Sequence, residues 1–284
     1  MAHNTIFMRF PGGLSKALTL SYDDGVTEDI RLIEIMKRHG LKGTFNVNSE
    51  PMIRAEETRK NPKPWANRLT AAEAKALYDQ EGIEVAVHAY THPFLQNLPS
   101  HTVAQEIIDD RKYLEALFGR PIRGMAYPFG TYSDKVVEVL ENCGIAYSRT
   151  VTSTERFDLP TDWLRMPATC HHKNPRLMEL ADRFLALQNG AEGQPSLFYV
   201  WGHTYEFAQN DNWCIIENFA EKMGGKEDIW YATNIEIYDY VRAFQSLNFT
   251  VGMTHVENPT SKTVWFNLQG RSYSVKPGEL LALN

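Results

Sequence analysis

The chain has 284 residues, 43% of them hydrophobic and 23% charged, with a formal net charge of -6. This length and balance fit one barrel-sized globular domain with a substantial core and exclude a low-complexity or disordered chain. The acidic excess argues against nucleic acid or an anionic membrane as partner, and no apolar run is long enough to span a bilayer.

In chain order, MAHNTIFMRFPGG lacks the basic stretch and apolar core of a signal peptide, so a soluble, cytoplasmic chain is expected. Ala17 to Tyr22 alternates as a strand and runs into Asp23, Asp24 and Gly25. Thr27 is placed to cap a helix whose first turn holds Glu28 and Asp29, whose stripe is Ile30, Ile33 and Met36, and which stops at Gly40. LKGTFNVN, residues 41 to 48, reads as the next strand, and Glu50 to Arg68, with three prolines among charges, as a surface loop over one end. Thr70 and Glu73 form a capping box for the helix before the strand GIEVAVH, residues 82 to 88.

Thr102 to Phe118 has helical periodicity, Gly119 ends it, IRGMAY reads as a strand, and Ser133 opens a helix that stops at Gly144. IAYSRT, LFYVWG and FTVGMT read as later strands, with helical segments over 175 to 189, 212 to 223 and 234 to 247. This alternation predicts an α/β fold, a distorted (β/α) barrel of seven or eight parallel strands over residues 1 to 257, with an open doubly wound sheet as the alternative. Residues 258 to 284 change character: KTVWFNL, SYSV and ELLALN are short strand-like pieces between turns, expected to form a small β appendage packed on the barrel. Cys143, Cys170 and Cys214 are widely spaced, form no CxxC pair and are assigned no chemistry.

Barrel chemistry gathers at the carboxyl ends of the strands. There the sequence places Asp23 and Asp24, His88 and His92, the segment Tyr127 to Gly130, and His203. An Asp-Asp-Gly is by itself a turn signal. Two histidines four residues apart in a turn stiffened by Pro93, with one carboxylate from Asp23 or Asp24, form a three-ligand set that leaves a cation an open position. The other carboxylate would then be free to take a proton. His171 and His172 are adjacent, so at most one is expected to reach the site. Trp201, Tyr205 and Tyr127 are candidates for stacking on a sugar ring.

TLSYDDG and HAYTH resemble the Thr-Phe-Asp-Asp-Gly and His-Ser/Thr-x-x-His motifs of the polysaccharide deacetylase family, the NodB-like domain of carbohydrate esterases. AYPFG, residues 126 to 130, and WGHTYEF, residues 201 to 207, resemble its later motifs, so the likeness runs from about residue 15 to 205. The resemblance implies a distorted (β/α) barrel and hydrolysis of N- or O-acetyl groups on a sugar or oligosaccharide. It implies Asp23 as general base, His203 as general acid, and Asp24, His88 and His92 as ligands of one divalent ion, zinc first, with cobalt, nickel or iron sharing the donor preference. It also implies a backbone N–H at Phe129 for the oxyanion. The family's third motif opens on an arginine that holds the base; Ala126 stands there, and Arg165 in WLRMPAT is the expected substitute. Two other readings stay open, hydrolysis of a non-sugar amide and a glycan-binding protein without turnover.

Overall fold

Period-two alternation in the first long strand decides which side chains enter the barrel. The computed structural model describes residues 5–283. Its first ten strands are β1 (Ile6–Arg9), β2 (Lys16–Asp23), β3 (Gly43–Val47), β4 (Ile83–Val87), β5 (Gly124–Ala126), β6 (Tyr147–Ser153), β7 (Met166–Ala168), β8 (Cys170–His171), β9 (Ser196–Gly202) and β10 (Ile229–Tyr231). On β2, Leu18, Leu20 and Tyr22 pack outward into the main apolar layer with helices such as Asp29–Arg38. Thr19, Ser21 and Asp23 share the opposite parity and point to the polar interior, where Asn46 Nδ2 donates to Ser21 Oγ at 2.9 Å and to Asp23 Oδ1 at 2.8 Å.

Nine parallel strands follow the order β7-β6-β5-β4-β3-β2-β9-β8, with β10 also on β2. The two ends of this path, β7 and β8, are separated in the chain by Thr169 alone. Met166–Ala168 pairs with β6 and Cys170–His171 with β9, so one stretch of chain joins both edges and closes a distorted (β/α) barrel. Thr169 completes the seam by donating its N–H to the Tyr199 carbonyl at 2.9 Å.

The remaining strands are β11 (Asn248–Phe249), β12 (His255–Glu257), β13 (Val264–Leu268), β14 (Arg271–Val275) and β15 (Leu280–Ala282). They form two antiparallel three-stranded sheets, β1-β13-β14 and β11-β12-β15, over a separate apolar cluster that includes Leu247, Val256 and Phe266. The carboxyl-terminal strands therefore pair with the amino-terminal strand and with residues 255 to 257. Asn284 lies outside the described residues.

Several local expectations change. Thr27 does not cap the first helix; Asp29 accepts from the Val26 N–H at 3.2 Å, and Ile30 faces outward while Leu32, Ile33, Ile35 and Met36 are buried. The Thr70–Glu73 capping box and the Ser133 cap form as their residue types dictate. FTVGMT is a strand only at Phe249, because the Met253 N–H turns back to the Thr250 carbonyl and Thr250 Oγ1 accepts from the Thr254 and His255 N–H groups. β10 escapes a sequence reading, three residues being too few to show a period. Residues 49 to 68 contain two short helices, Ser49–Ile53 and Ala55–Thr58, before an extended return. Among the described residues no helix is long and apolar enough to cross a membrane.

Near the amino ends of the strands, Glu84 accepts from Tyr147 Oη at 2.7 Å, Thr44 Oγ1 at 2.8 Å and the Ile235 N–H at 2.9 Å, tying three strands to the helix Asn234–Gln245. Burial outweighs these bonds and raises its carboxyl from 4.5 to about 7. The folded protein therefore holds a proton there that the unfolded chain releases, and Glu84 costs stability increasingly as pH rises from 4.5 through 7. Glu84→Gln should remove that dependence, changing the wild-type-minus-variant difference by about 3 kcal/mol across the interval. Urea unfolding of both proteins at pH 4.5 and 7.5 measures it.

Candidate active site

Five strand ends build the site. β2 delivers Asp23 inward by parity and Asp24 in the turn that follows, with φ +86°. β4 delivers His88, and the turn after it passes through Ala89 and His92, both with φ +60°. β5 leads to Phe129 at φ +57°, β6 carries Arg149, and β9 leads to His203. Non-glycine residues rarely take positive φ, and four of them converge on this rim, as strained residues do at functional sites.

Asp23 is 3% exposed. Arg149 Nη2 donates to its Oδ2, Asn46 to its Oδ1, and the Nε2 atoms of His88 and His203 each lie 3.9 Å from Oδ2. Burial alone would raise this carboxyl; Arg149, His88 and His203 outweigh it and hold the group below the ordinary range, so Asp23 is ionised at neutral pH. Arg149 is itself fully buried, 4.3 Å above the Trp201 ring. Trp201 is thus the floor under the arginine. Tyr127 is also buried, its hydroxyl donating to the Leu164 carbonyl at 2.8 Å.

These placements correct the expectation for Arg165. It pairs on the surface with Asp134 at 2.6 Å and Asp162 at 2.7 Å, because it lies in the turn before β7, outside the barrel. The cation against Asp23 comes from Arg149. A sequence signal existed, since Tyr147 and Arg149 share one face of IAYSRT and a buried cation requires a carboxylate.

Asp24, His88 and His92 bring one ligand atom each within 4.8 Å of one another. His88 Nδ1 lies 2.7 Å from the Ala126 carbonyl. A carbonyl only accepts, so Nδ1 carries the hydrogen and Nε2 offers a lone pair toward the carboxylates. His92 Nε2 is 4.0 Å from Asp24 Oδ1. Burial lowers both imidazoles, His92 to about 4, which keeps them neutral at pH 7. Asp24 stays ionised despite burial because the Arg68 guanidinium beside it holds its pKa down. The His88 lone pair, the His92 imidazole and the Asp24 carboxylate gathered in one place suit a cation, so the donor set fits a divalent ion.

The supports are buried acids. Asp110 accepts from the His88 N–H at 3.0 Å and the Ser49 N–H at 2.8 Å, fixing the end of β4. Asp29 accepts from Val26, Tyr78 and Thr204, joining the turn that carries Asp24 to the turn that carries His203. Gly202 is required beside His203, since a Cβ there would lie 2.0 Å from the His172 ring.

His203 Nδ1 is 3.7 Å from Glu206 Oε2. Burial disfavours its charge, yet Glu206, Asp23 and Asp24 together raise its pKa. His171 and His172 both approach Glu206, at 3.2 and 3.1 Å, but the His172 ring stacks on Tyr22 and Phe207 in the outer layer, which leaves His171 on the side of His203. His171, His203 and Glu206 also lie within 4.8 Å of one another. The Lys173 N–H donates to His171 Nδ1, however, which leaves the ring hydrogen on Nε2 facing Glu206, a hydrogen-bonding arrangement.

Residues 12–148 match the family model for polysaccharide deacetylase. Over that stretch the chain is similar to the polysaccharide deacetylase family. Asp23, Asp24, His88 and His92 lie inside the deacetylase match, and His203 lies beyond it. Among solved structures the chain is similar to a candidate polysaccharide deacetylase from Mycobacterium smegmatis, with 15% identity over 86% of this chain and 96% of that one and a TM-score of 0.57. A Streptococcus pyogenes deacetylase in complex with acetate shares 21% identity over 52% of this chain, TM-score 0.44, and the match spans only 61% of that protein. A CE4 family pseudoenzyme from Bacillus anthracis shares 16% identity over 82% of this chain and 68% of that one, TM-score 0.46. At these identities the likeness concerns the fold. Comparison with curated proteins finds no match.

Replacing Arg149 by Gln leaves Asp23 buried without its cation and should cost about 3–5 kcal/mol of stability. The double variant Arg149→Gln/Asp23→Asn should recover most of that loss. Equal costs for single and double variants in urea unfolding would refute the pairing.

Proposed function

We propose that the protein is a metal-dependent hydrolase that removes acetyl groups from an N- or O-acetylated sugar or oligosaccharide. The observation that carries this reading is the division of labour between two adjacent carboxylates: Asp23 is gripped by Arg149 and Asn46, whereas Asp24 gathers with the ring nitrogens of His88 and His92. A divalent ion held by Asp24, His88 and His92, zinc by donor type with cobalt, nickel or iron as alternatives, would supply Lewis acidity toward the acetyl carbonyl and the attacking water.

The chain's own groups do the rest. Asp23 is ionised and takes the proton of the attacking water. His203, whose hold on a proton Glu206 and Asp23 strengthen, faces the same carboxylate through Nε2 and delivers a proton to the departing amine or alcohol. A backbone N–H at Phe129 would stabilise charge on the acetyl oxygen. For the sugar, the exposed Phe94 and Phe129 rings lie 3.9 Å apart at 11°, and Phe129 also packs edge-on against His92, which offers an apolar face at the reacting centre. These two rings replace the buried Tyr127 and Trp201 as candidates for contact with a sugar.

The non-catalytic reading drew on the missing arginine at position 126, and Arg149 supports turnover by supplying that charge. Acetate release from N-acetylglucosamine oligomers, against linear and cyclic non-sugar amides, tests the substrate class. Activity on the amides alone would overturn the sugar assignment. Asp23→Asn should lower kcat by about 10²–10⁴-fold with metal content unchanged. His203→Ala should slow an acetamide far more than an activated acetate ester, whose leaving group departs without help; equal losses would contradict the acid role.

A further inference from the structure

We infer that Arg68 is a positioning residue that sets the geometry of Asp24 as a metal ligand, an inference that rests on the metal-site reading above. Arg68 comes from the extended return after the short helices of residues 49 to 58. That return is laced to the turn that follows Asp24: the Thr27 N–H donates to the Asn67 carbonyl at 2.8 Å, the Leu69 N–H to the Gly25 carbonyl at 3.0 Å, and Val26 and Arg68 form an antiparallel bridge. The backbone thereby fixes where the Arg68 side chain starts.

Its guanidinium grips one residue twice. Nη1 donates to the Asp24 main-chain carbonyl and Nη2 donates to Asp24 Oδ1 at 3.0 Å. The first bond holds the peptide of a non-glycine residue at φ +86°, and the second holds the rotamer of the carboxylate. A planar fork spans both acceptors in one rigid geometry; a lysine ammonium, a point charge on a flexible stem, does not. The main-chain end of Asp24 is also tied by its N–H, which donates to the Asn46 carbonyl at 2.9 Å. With Arg68 in place the carboxylate is aimed before an ion arrives, and the carbonyl bond keeps the turn from relaxing to an ordinary backbone conformation.

A positive charge beside a ligand also repels a cation. The two effects predict opposite outcomes, which makes the inference testable. Zinc and cobalt affinities are measured by chelator competition, with the visible spectrum of bound cobalt, for wild type, Arg68→Ala, Arg68→Lys and His88→Ala. The inference expects Arg68→Ala and Arg68→Lys each to lose about 10–100-fold in affinity with an altered cobalt spectrum, as for other groups that orient ligands. Thermal midpoints of the metal-free proteins check that both variants fold. Wild-type affinity in Arg68→Lys would assign the effect to charge alone and overturn positioning. Unchanged or tighter binding in Arg68→Ala would show that repulsion dominates and overturn it as well. Should the alanine variant fail to fold, the lysine variant decides. A wild type that binds neither metal would remove the metal-site reading and this inference together, whereas normal wild-type binding with intact variants removes the inference alone.

Discussion

Two neighbouring carboxylates cannot be buried at one strand end unless each has its own positive partner. Two like charges about 4 Å apart cost about 4 kcal/mol at the effective dielectric of a protein surface, and more when dry. The chain meets this constraint by giving Asp23 to Arg149, inside the barrel, and Asp24 to Arg68, at the rim. The two arginines come from distant parts of the chain, so the pairings also pin a strand and a surface segment to the same point. Once the charges are separated in this way, the carboxylates can do different work although they are adjacent in sequence.

The barrel supplies the separation through parity. Successive residues of a strand face opposite sides, so Asp23 continues the interior file of Thr19 and Ser21, and Asp24 is released into the turn. The interior is polar enough to receive it, with Asn46, Ser21, Thr19, Asn234 and Tyr199 hydrogen-bonded along the axis. Apolar stabilisation comes from the outer layer of helices and from a second cluster that includes Ala17, Met166 and Leu197, while the polar file leads to the rim where the chemistry gathers. Buried acids then hold the loops: Asp110 carries the backbone of His88, and Asp29 spans from Val26 to Thr204.

Much of this was legible in the sequence, for identifiable reasons. Strand and helix order follows from period and caps, which act locally, so Thr70 with Glu73 and Ser133 behave as their residue types require. The candidate site residues at strand ends follow from the barrel rule once the strands are placed. What escaped were relations that only closure of the barrel creates. Arg149 meets Asp23 across an interior that local pattern does not describe, and Arg165, closer in motif logic, faces outward. Arg68 was absorbed into a charged loop because nothing local shows that residues 66 to 69 run back along residues 25 to 27. Tyr127 and Trp201 read as platforms because aromatic character says nothing about which face is covered.

The central claim is that Asp24, with His88 and His92, holds the ion while Asp23 stays uncoordinated beside it. Anomalous diffraction at the zinc edge from crystals grown with zinc tests it most directly. The account predicts one strong peak within coordination distance of Asp24, His88 and His92, with Asp23 still bonded to Arg149. A peak among His171, His203 and Glu206 instead, or one bridged by Asp23 with Arg149 displaced, would contradict it.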